Sequence, residues 1–237
     1  MTKTDGTPAA ASADDENDVR TRLETIKAYR GRIMPNHAVL AIEAPQLLDT
    51  YEALYTGTTL TYNHLTRQQK KFVMLLVVGG CQQPLGLYHV KDFLAGGGTA
   101  EQVRVAARLA MLVSGAPAVD AVSAGWSQFV SGISYDALID PELVAATQSD
   151  LPPWLLELAM AAGHACRRDW DKVKFHLVRA KRLDVSDAVL AEALTTLILT
   201  AGNPTFAQAC GAWQELIRDG AVAATPAHRY AAELARG

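Results

Sequence analysis

A stretch of this chain recurs about 87 residues further along, and this internal repeat constrains the fold more than any single motif. The segment "YHVKDFLAGGGTAEQV" (88–103) resembles "FHLVRAKRLDVSDAVL" (175–190). The positions matched at this offset are His89 with His176, Thr99 with Ser186, Gly115 with Gly202, Pro117 with Pro204, and Trp126 with Trp213. Because one offset passes unbroken through such different residue types, we interpret the chain as a tandem duplication.

The repeat predicts where the chain divides. We expect a disordered, acidic leader over residues 1–18, because this segment is polar and has no apolar core. A first repeat with an N-terminal helix is predicted over 19–131, and a second repeat with a C-terminal tail over 132–237. The two repeats themselves correspond to roughly 36–131 and 132–220.

Capping signals predict that each repeat is built from helices. Thr99 followed by Gln102 is typical of a capping box, and the glycines at 96–98 should end the preceding helix. Ser186 should cap the matching helix of the second repeat. The Gly-x-Pro turns at 115–117 and 202–204 should each end one helix and begin another.

One apolar run, taken alone, is compatible with either a strand or a helix. The run "FVMLLVV" (72–78) has the length of a buried strand, but its repeat partner "LAMAA" (158–162) has a strong helix preference. The partner favours helix for both segments. The predicted fold is therefore all-α, with two tandem repeats of buried helical hairpins.

Charge and cysteine content limit the possible partners and the compartment. A net charge of −3 and a pI near 6.1 give no general attraction to nucleic acid or anionic lipid. We expect no signal peptide and no transmembrane run. The odd number of widely spaced cysteines, Cys81, Cys166 and Cys210, suits a reducing compartment, so we expect a cytoplasmic protein.

Glu157 and His176 are the leading candidates for a functional pair. They flank the turn near Cys166 at matched distances of roughly 14 Å along two antiparallel helices, which places them at one height. Glu157 lies in a nearly all-apolar helix, and a buried carboxylate needs a partner or a proton. A purely structural Glu–His pair that ties two core helices together stays open as the alternative.

Other candidates have simpler explanations beside the functional one. Lys172 could bind a substrate carboxylate, or could be a solvated charge. His89 and Tyr88 could line a site, or could be packing. The motifs of zinc sites and of serine hydrolases are missing from the sequence, so we expect neither metal nor cofactor.

Together these residues resemble the carboxymuconolactone decarboxylase family, which shares its fold with alkyl hydroperoxidase D. The resemblance covers roughly residues 30–220 and includes "MPNHAVLAIEAPQLLDTYEALY", "LTRQQKKFVMLLVVGG" and the following His, Gly and Thr. In the peroxidase branch a Glu stands 19 positions before the His, as Glu157 does before His176. The matching position of the first repeat is Lys70 or Lys71.

The resemblance also implies that the peroxidase thiols are missing. The two cysteine positions of that branch correspond to Asp169 and Lys172 in the second repeat. Cys81 lies outside the motif, and we expect it to be a small buried residue near a turn. Without a resolving cysteine, the dithiol peroxide cycle cannot run.

The decarboxylase branch implies a function without a cofactor. We expect a lyase that uses acid–base chemistry on a small carboxylated lactone or unsaturated ring acid, with His176 and Glu157 as catalytic residues and Lys172, His89 and Tyr88 as substrate-binding residues. Family members are usually oligomers, which implies a homo-oligomer, a trimer or a dimer of duplicated chains. An isomerase or hydratase, a thiol-dependent peroxidase and a non-catalytic assembly protein remain alternatives.

Overall fold

A computed structural model describes residues 13–235, and every regular element in that range is helical. The predicted all-α class is confirmed. The chain divides into two compact units, residues 1–57 and 58–237.

The described part of the first unit contains three helices: α1 (Ala13–Arg30), α2 (Pro35–Glu43) and α3 (Pro45–Tyr55). Prolines at the first position of α2 and α3 suit helix starts, where the missing N–H would have no partner. Ile26, Ala41 and Leu48 form a small core. Residues 13–18 of the predicted leader are helical, in α1, whereas its residues 1–12 lie outside the described range.

The second unit holds the larger core. A π-helical turn covers Thr56–Leu60, and a 3₁₀ turn covers Pro84–Gly86. Its helices are α4 (Arg67–Gly80), α5 (Leu87–Ala95), α6 (Ala100–Trp126), α7 (Tyr135–Thr147), α8 (Pro153–Arg167), α9 (Trp170–Arg182), α10 (Asp187–Thr195), α11 (Leu197–Thr200), α12 (Asn203–Arg218) and α13 (Pro226–Leu234).

Two apolar helices, α4 and α8, pack against each other at the centre of the second unit. The run 72–78 that could have been a strand is part of α4, as its repeat partner in α8 indicated. Both helices are buried along most of their length, which explains why their sequences are apolar nearly all round. α5 and α6 also pack on α4, and α9 packs on α8.

Most of the predicted helix ends are present. Thr99 and Gln102 form the capping box of α6, and Ser186 accepts a hydrogen bond from the backbone N–H of Val189. α5 ends at Ala95, before the glycines at 96–98.

The Gly-x-Pro prediction is wrong in the first repeat. Gly202 has a φ of +90° and precedes α12, but α6 continues through Gly115 and Pro117 to Trp126. Gly115 does not adopt the positive φ that ends a helix. A proline inside a helix removes one backbone hydrogen bond, and that loss alone did not end α6.

The expectation of no transmembrane run also needs correction. By length and composition α6 is the single helix among residues 13–235 that could cross a membrane, and 28% of its most apolar window is buried. Its Ala, Val, Leu and Met residues raise its mean hydropathy, but Arg, Ser, Gly, Pro and Asp interrupt them, so the sequence shows no continuous apolar run. Core helices of soluble proteins have the same length and composition, so this property alone is weak evidence for a membrane location.

Candidate functional site

The hairpin of α8 and α9 brings Glu157 and His176 into contact. α8 ends at Arg167, Arg168 turns the chain with a φ of 58°, and Asp169 caps α9 through the backbone N–H of Lys172. The Nδ1 atom of His176 lies 2.6 Å from Oε2 of Glu157, and both side chains are buried. The predicted contact across the hairpin is therefore present.

Tyr135, at the start of α7, connects His176 to a second histidine. Its hydroxyl lies 2.8 Å from Nε2 of His176 and 2.6 Å from Nε2 of His164. The two imidazole rings stack with their centroids 5.4 Å apart and their planes inclined by 17°. One hydroxyl thus bridges two buried imidazoles.

A carboxylate lies near the far nitrogen of each imidazole. Glu157 holds His176 on one side, and its other oxygen accepts a hydrogen bond from Nε of Arg179 at 2.8 Å. Nδ1 of His164 lies 3.6 Å from Oδ2 of Asp169, just beyond hydrogen-bonding distance. We call the series Asp169, His164, Tyr135, His176 and Glu157 the histidine relay.

Burial and charge set the protonation of the relay. Burial lowers the pKa of His176 to about 4, against the opposing effect of Glu157. Burial opposes ionisation of Glu157, but its hydrogen bonds with His176 and Arg179 outweigh burial and keep its pKa below the ordinary value. Burial and the nearby carboxylates raise the pKa of Tyr135. At neutral pH we therefore expect a carboxylate, a neutral imidazole and a protonated phenol.

Those protonation states define one pattern of hydrogen bonds. The carboxylate of Glu157 accepts from Nδ1–H of His176, which leaves Nε2 of that ring as an acceptor. Tyr135 then donates its hydroxyl hydrogen to Nε2 of His176. Because a hydroxyl has one hydrogen, its oxygen accepts from Nε2–H of His164.

Arg179 extends this buried network to the surface. Its NH1 atom forms an ion pair with Oδ1 of Asp140 at 2.8 Å, and its side chain is 28% exposed. A surface cavity of about 480 Å³ adjoins it, lined by Asp136, Asp171, Lys174, Phe175, Val178, Arg179 and Arg182. Phe175 packs edge-on against Tyr135, so one wall of the cavity borders the relay.

The remaining predicted site residues occupy two other places. Lys172 lies beside the relay, with its Nζ atom 4.7 Å from the centroid of the Tyr135 ring and 2.7 Å from Oδ1 of Asp120. A substrate carboxylate would have to replace Asp120 there. Tyr88 and His89 are half-buried on α5. The nearby apolar cavity of about 540 Å³ is lined by residues that include Val90 but neither Tyr88 nor His89.

Sequence reasoning missed several of the residues that complete the relay. His164 stands seven positions after Glu157, and Arg179 stands three after His176, so each pair shares a helix face. That spacing was a usable signal. Tyr135 comes from another helix, and Asp169 matches a thiol position of the peroxidase branch, so no local pattern links either residue to the histidines.

The described range contains no cluster of metal-binding side chains. Among residues 13–235, no group of three or more His, Cys, Asp or Glu side chains is positioned to hold a metal ion. Comparison with protein families, curated proteins and solved structures found no match to this chain.

Proposed function

We propose that the protein is an enzyme that uses general acid–base chemistry on a small carboxylated molecule. The observation that carries this proposal is the contact of a buried Glu157–His176 pair with Tyr135 and His164. Each member can gain or lose a proton, and the hydrogen bonds between them measure 2.6–2.8 Å. Such a chain suits the transfer of a proton to and from a bound substrate.

A proton can cross this site without large movements of atoms. Nε2 of His164 gives its hydrogen to Tyr135 while Tyr135 gives its own to His176. His176 then becomes an imidazolium beside the carboxylate of Glu157, which stabilises the positive charge. The transfer starts from a His164 that carries a hydrogen on both ring nitrogens, so His164 ends neutral and the positive charge moves to His176.

The finer proposal is a cofactor-independent lyase of the carboxymuconolactone decarboxylase kind, built from two tandem repeats. In such a reaction the substrate carboxylate leaves as carbon dioxide, and its electron pair moves into a conjugated carbonyl to form an enolate. A donor then returns a proton to carbon. We assign proton transfer to His176 and Tyr135, with Glu157 supporting the imidazolium.

The cavity beside Arg179 suits the substrate carboxylate. Lys174, Arg179 and Arg182 contribute positive charge to its lining, against Asp136 and Asp171. A volume of about 480 Å³ is in the range of small-molecule sites. Because His176 is fully buried, substrate contact requires that Phe175 or Tyr135 move aside, and Lys172 is a second candidate cation on that side.

We further propose a cytoplasmic homo-oligomer, a dimer or trimer of this chain. Large apolar side chains are exposed on and just after α6, as subunit contacts often require. They are Met111, Trp126, Phe129 and Val130. Light scattering should give the mass of two or three chains.

The test measures turnover of a carboxylated muconolactone by the purified full chain. Release of carbon dioxide is the readout. His176→Ala should lower turnover by roughly 10²–10⁴. His89→Ala, the matched change in the first repeat, should have little effect. Circular dichroism should show that both variants remain helical.

Two results would overturn the proposal. One is full turnover in a folded His176→Ala protein. The other is the absence of any turnover of lactone and unsaturated ring acids by the wild type, combined with a lower melting temperature in His176→Ala, as for a purely structural pair.

A further inference from the structure

Two cysteines that are far apart in sequence meet where α4 and α8 cross. Cys81 directly follows α4, and Cys166 lies in the last turn of α8. The helix backbones touch beside them, because a Cβ atom added to Gly80 would lie 2.7 Å from the Gly163 carbonyl oxygen. The same Cβ would lie 3.1 Å from Cβ of Cys166.

Both cysteines bind the same carbonyl group. The backbone N–H of Cys81 donates to the carbonyl oxygen of Val77 at 2.9 Å. The thiol of Cys166 contacts that oxygen at 3.5 Å and the Ala162 carbonyl at 3.3 Å. The expectation of a small buried Cys81 without a resolving cysteine is therefore corrected, because Cys81 is only half-buried and Cys166 lies beside it.

The two thiols differ in their ionisation. A hydrogen bond from the Cys166 thiol lowers the pKa of Cys81, with help from Arg167. The same interaction and burial raise the pKa of Cys166. Cys81 is also half-exposed. A Cys81 thiol with a lowered pKa, beside a Cys166 thiol with a raised pKa, matches the usual roles of attacking and resolving cysteines.

We propose that Cys81 and Cys166 are a redox-active pair that hydroperoxides oxidise to a disulfide joining α4 to α8. The site is separate from the histidine relay and does not depend on the proposed lyase activity.

The chemistry balances in two steps. The Cys81 thiolate attacks one oxygen of the hydroperoxide, so an S–O bond forms, the O–O bond breaks and the leaving oxygen takes a proton. With hydrogen peroxide this step gives a sulfenic acid and water. The sulfur of Cys166 then attacks that of Cys81, and a second water leaves as the disulfide forms. The peroxide gains two electrons from two thiols, and a dithiol reductant reverses the oxidation by exchange.

The third cysteine provides a control. Cys210 lies in α12, and burial raises its pKa to about 11, so it should stay a thiol at neutral pH. We expect Cys210→Ser to oxidise as the wild type does.

The experiment treats the full chain with hydrogen peroxide at neutral pH, blocks the remaining thiols with an alkylating agent, and maps cross-linked peptides by mass spectrometry. The wild type should lose two of its three free thiols per chain and yield a Cys81–Cys166 peptide. Dithiothreitol should restore them. Cys166→Ala should trap Cys81 as a sulfenic acid that reacts with dimedone.

Three results would overturn the proposal. The first is a wild type that keeps all its thiols, although iodoacetamide labels Cys81. The second is a disulfide that involves Cys210 or links two chains in place of Cys81–Cys166. The third is equal disulfide formation in the wild type and in a folded Cys166→Ala variant.

Discussion

The hairpins α4–α5 and α8–α9 each contain a charge pair between their helices, but with opposite polarity. In α8–α9, Glu157 on the first helix binds Arg179 on the second. In α4–α5, Lys71 on the first helix forms an ion pair with Asp92 on the second at 3.3 Å. The sequence repeat has an offset of 86 residues before the turn and of 87 after it. At these offsets Lys71 matches Glu157, and Asp92 matches Arg179.

That reversal decides which hairpin can support a histidine as a base. A carboxylate accepts the Nδ1–H of His176 and keeps Nε2 free to bind Tyr135. An ammonium group such as that of Lys71 has only hydrogens to donate, so it cannot perform this role for an imidazole. Both hairpins contain a histidine. The comparison indicates that the direction of the charge pair between the helices distinguishes them.

The largest expected effect is on activity, from removing single hydroxyl groups. Tyr135→Phe should lower turnover of the lactone substrate roughly 10²-fold, because the proton path between His164 and His176 is broken. Tyr88→Phe makes the same change in the first hairpin and should leave turnover within about twofold of the wild type by the same reasoning. Equal losses in both variants would contradict the assignment of chemistry to the second hairpin.

The free energy of unfolding should also depend more on the charge pair of α8–α9 than on that of α4–α5. Glu157 is 5% exposed and binds both His176 and Arg179, so Glu157→Ala leaves polar groups buried without their partner. We expect a loss of about 3–5 kcal/mol in the free energy of unfolding. Asp92 is 28% exposed, so water can partly replace it beside the buried Lys71, and Asp92→Ala should cost less, about 1–3 kcal/mol. Urea denaturation measures both, and a reversed order would contradict the comparison.

The sequence predicted the second hairpin better than the first, for a physical reason. A buried carboxylate in an apolar helix must be paired, so Glu157 alone pointed to His176. Lys71 is also buried, but a lysine can extend its amine to solvent, so its position in the sequence does not by itself require a buried partner. Tyr135 could not be predicted, because the contact of α7 with the hairpin depends on packing between elements distant in sequence. Likewise, Gly115 and Gly202 occur in similar motifs, and only their backbone conformation separates them.

Acid should destabilise the protein through His176. Its pKa is about 4 in the folded protein and near 6.5 when unfolded, so between these values the unfolded chain binds more protons. Stability should be complete above pH 6.5 and fall by about 3 kcal/mol as the pH drops towards 4.

His176→Asn should flatten this dependence. Burial gives His37 in the first unit a pKa of about 4 as well, so the readout is the difference between variant and wild type. Unfolding free energies from urea titrations at pH 4.5, 5.5 and 7 would measure it. A slope that persists in His176→Asn would assign the acid sensitivity to other groups.

The smallest effects concern Gly80 and Gly163, two glycines where α4 and α8 touch, and they test whether a backbone neighbour or a side-chain neighbour tolerates a methyl group. A methyl group on Gly80 would lie 2.7 Å from the backbone oxygen of Gly163, which cannot rotate away. Gly80→Ala should therefore force the helices apart and cost about 1–3 kcal/mol.

A methyl group on Gly163 would meet Cγ2 of Val113 at 3.1 Å, and that side chain can shift by a few tenths of an ångström. Alanine also favours helix over glycine by about 1 kcal/mol, which offsets the contact, so Gly163→Ala should change stability by less than about 1 kcal/mol. Thermal melting of both variants tests this, and a Gly163→Ala variant as unstable as Gly80→Ala would mean that Val113, which lies in α6, cannot shift to admit the methyl group.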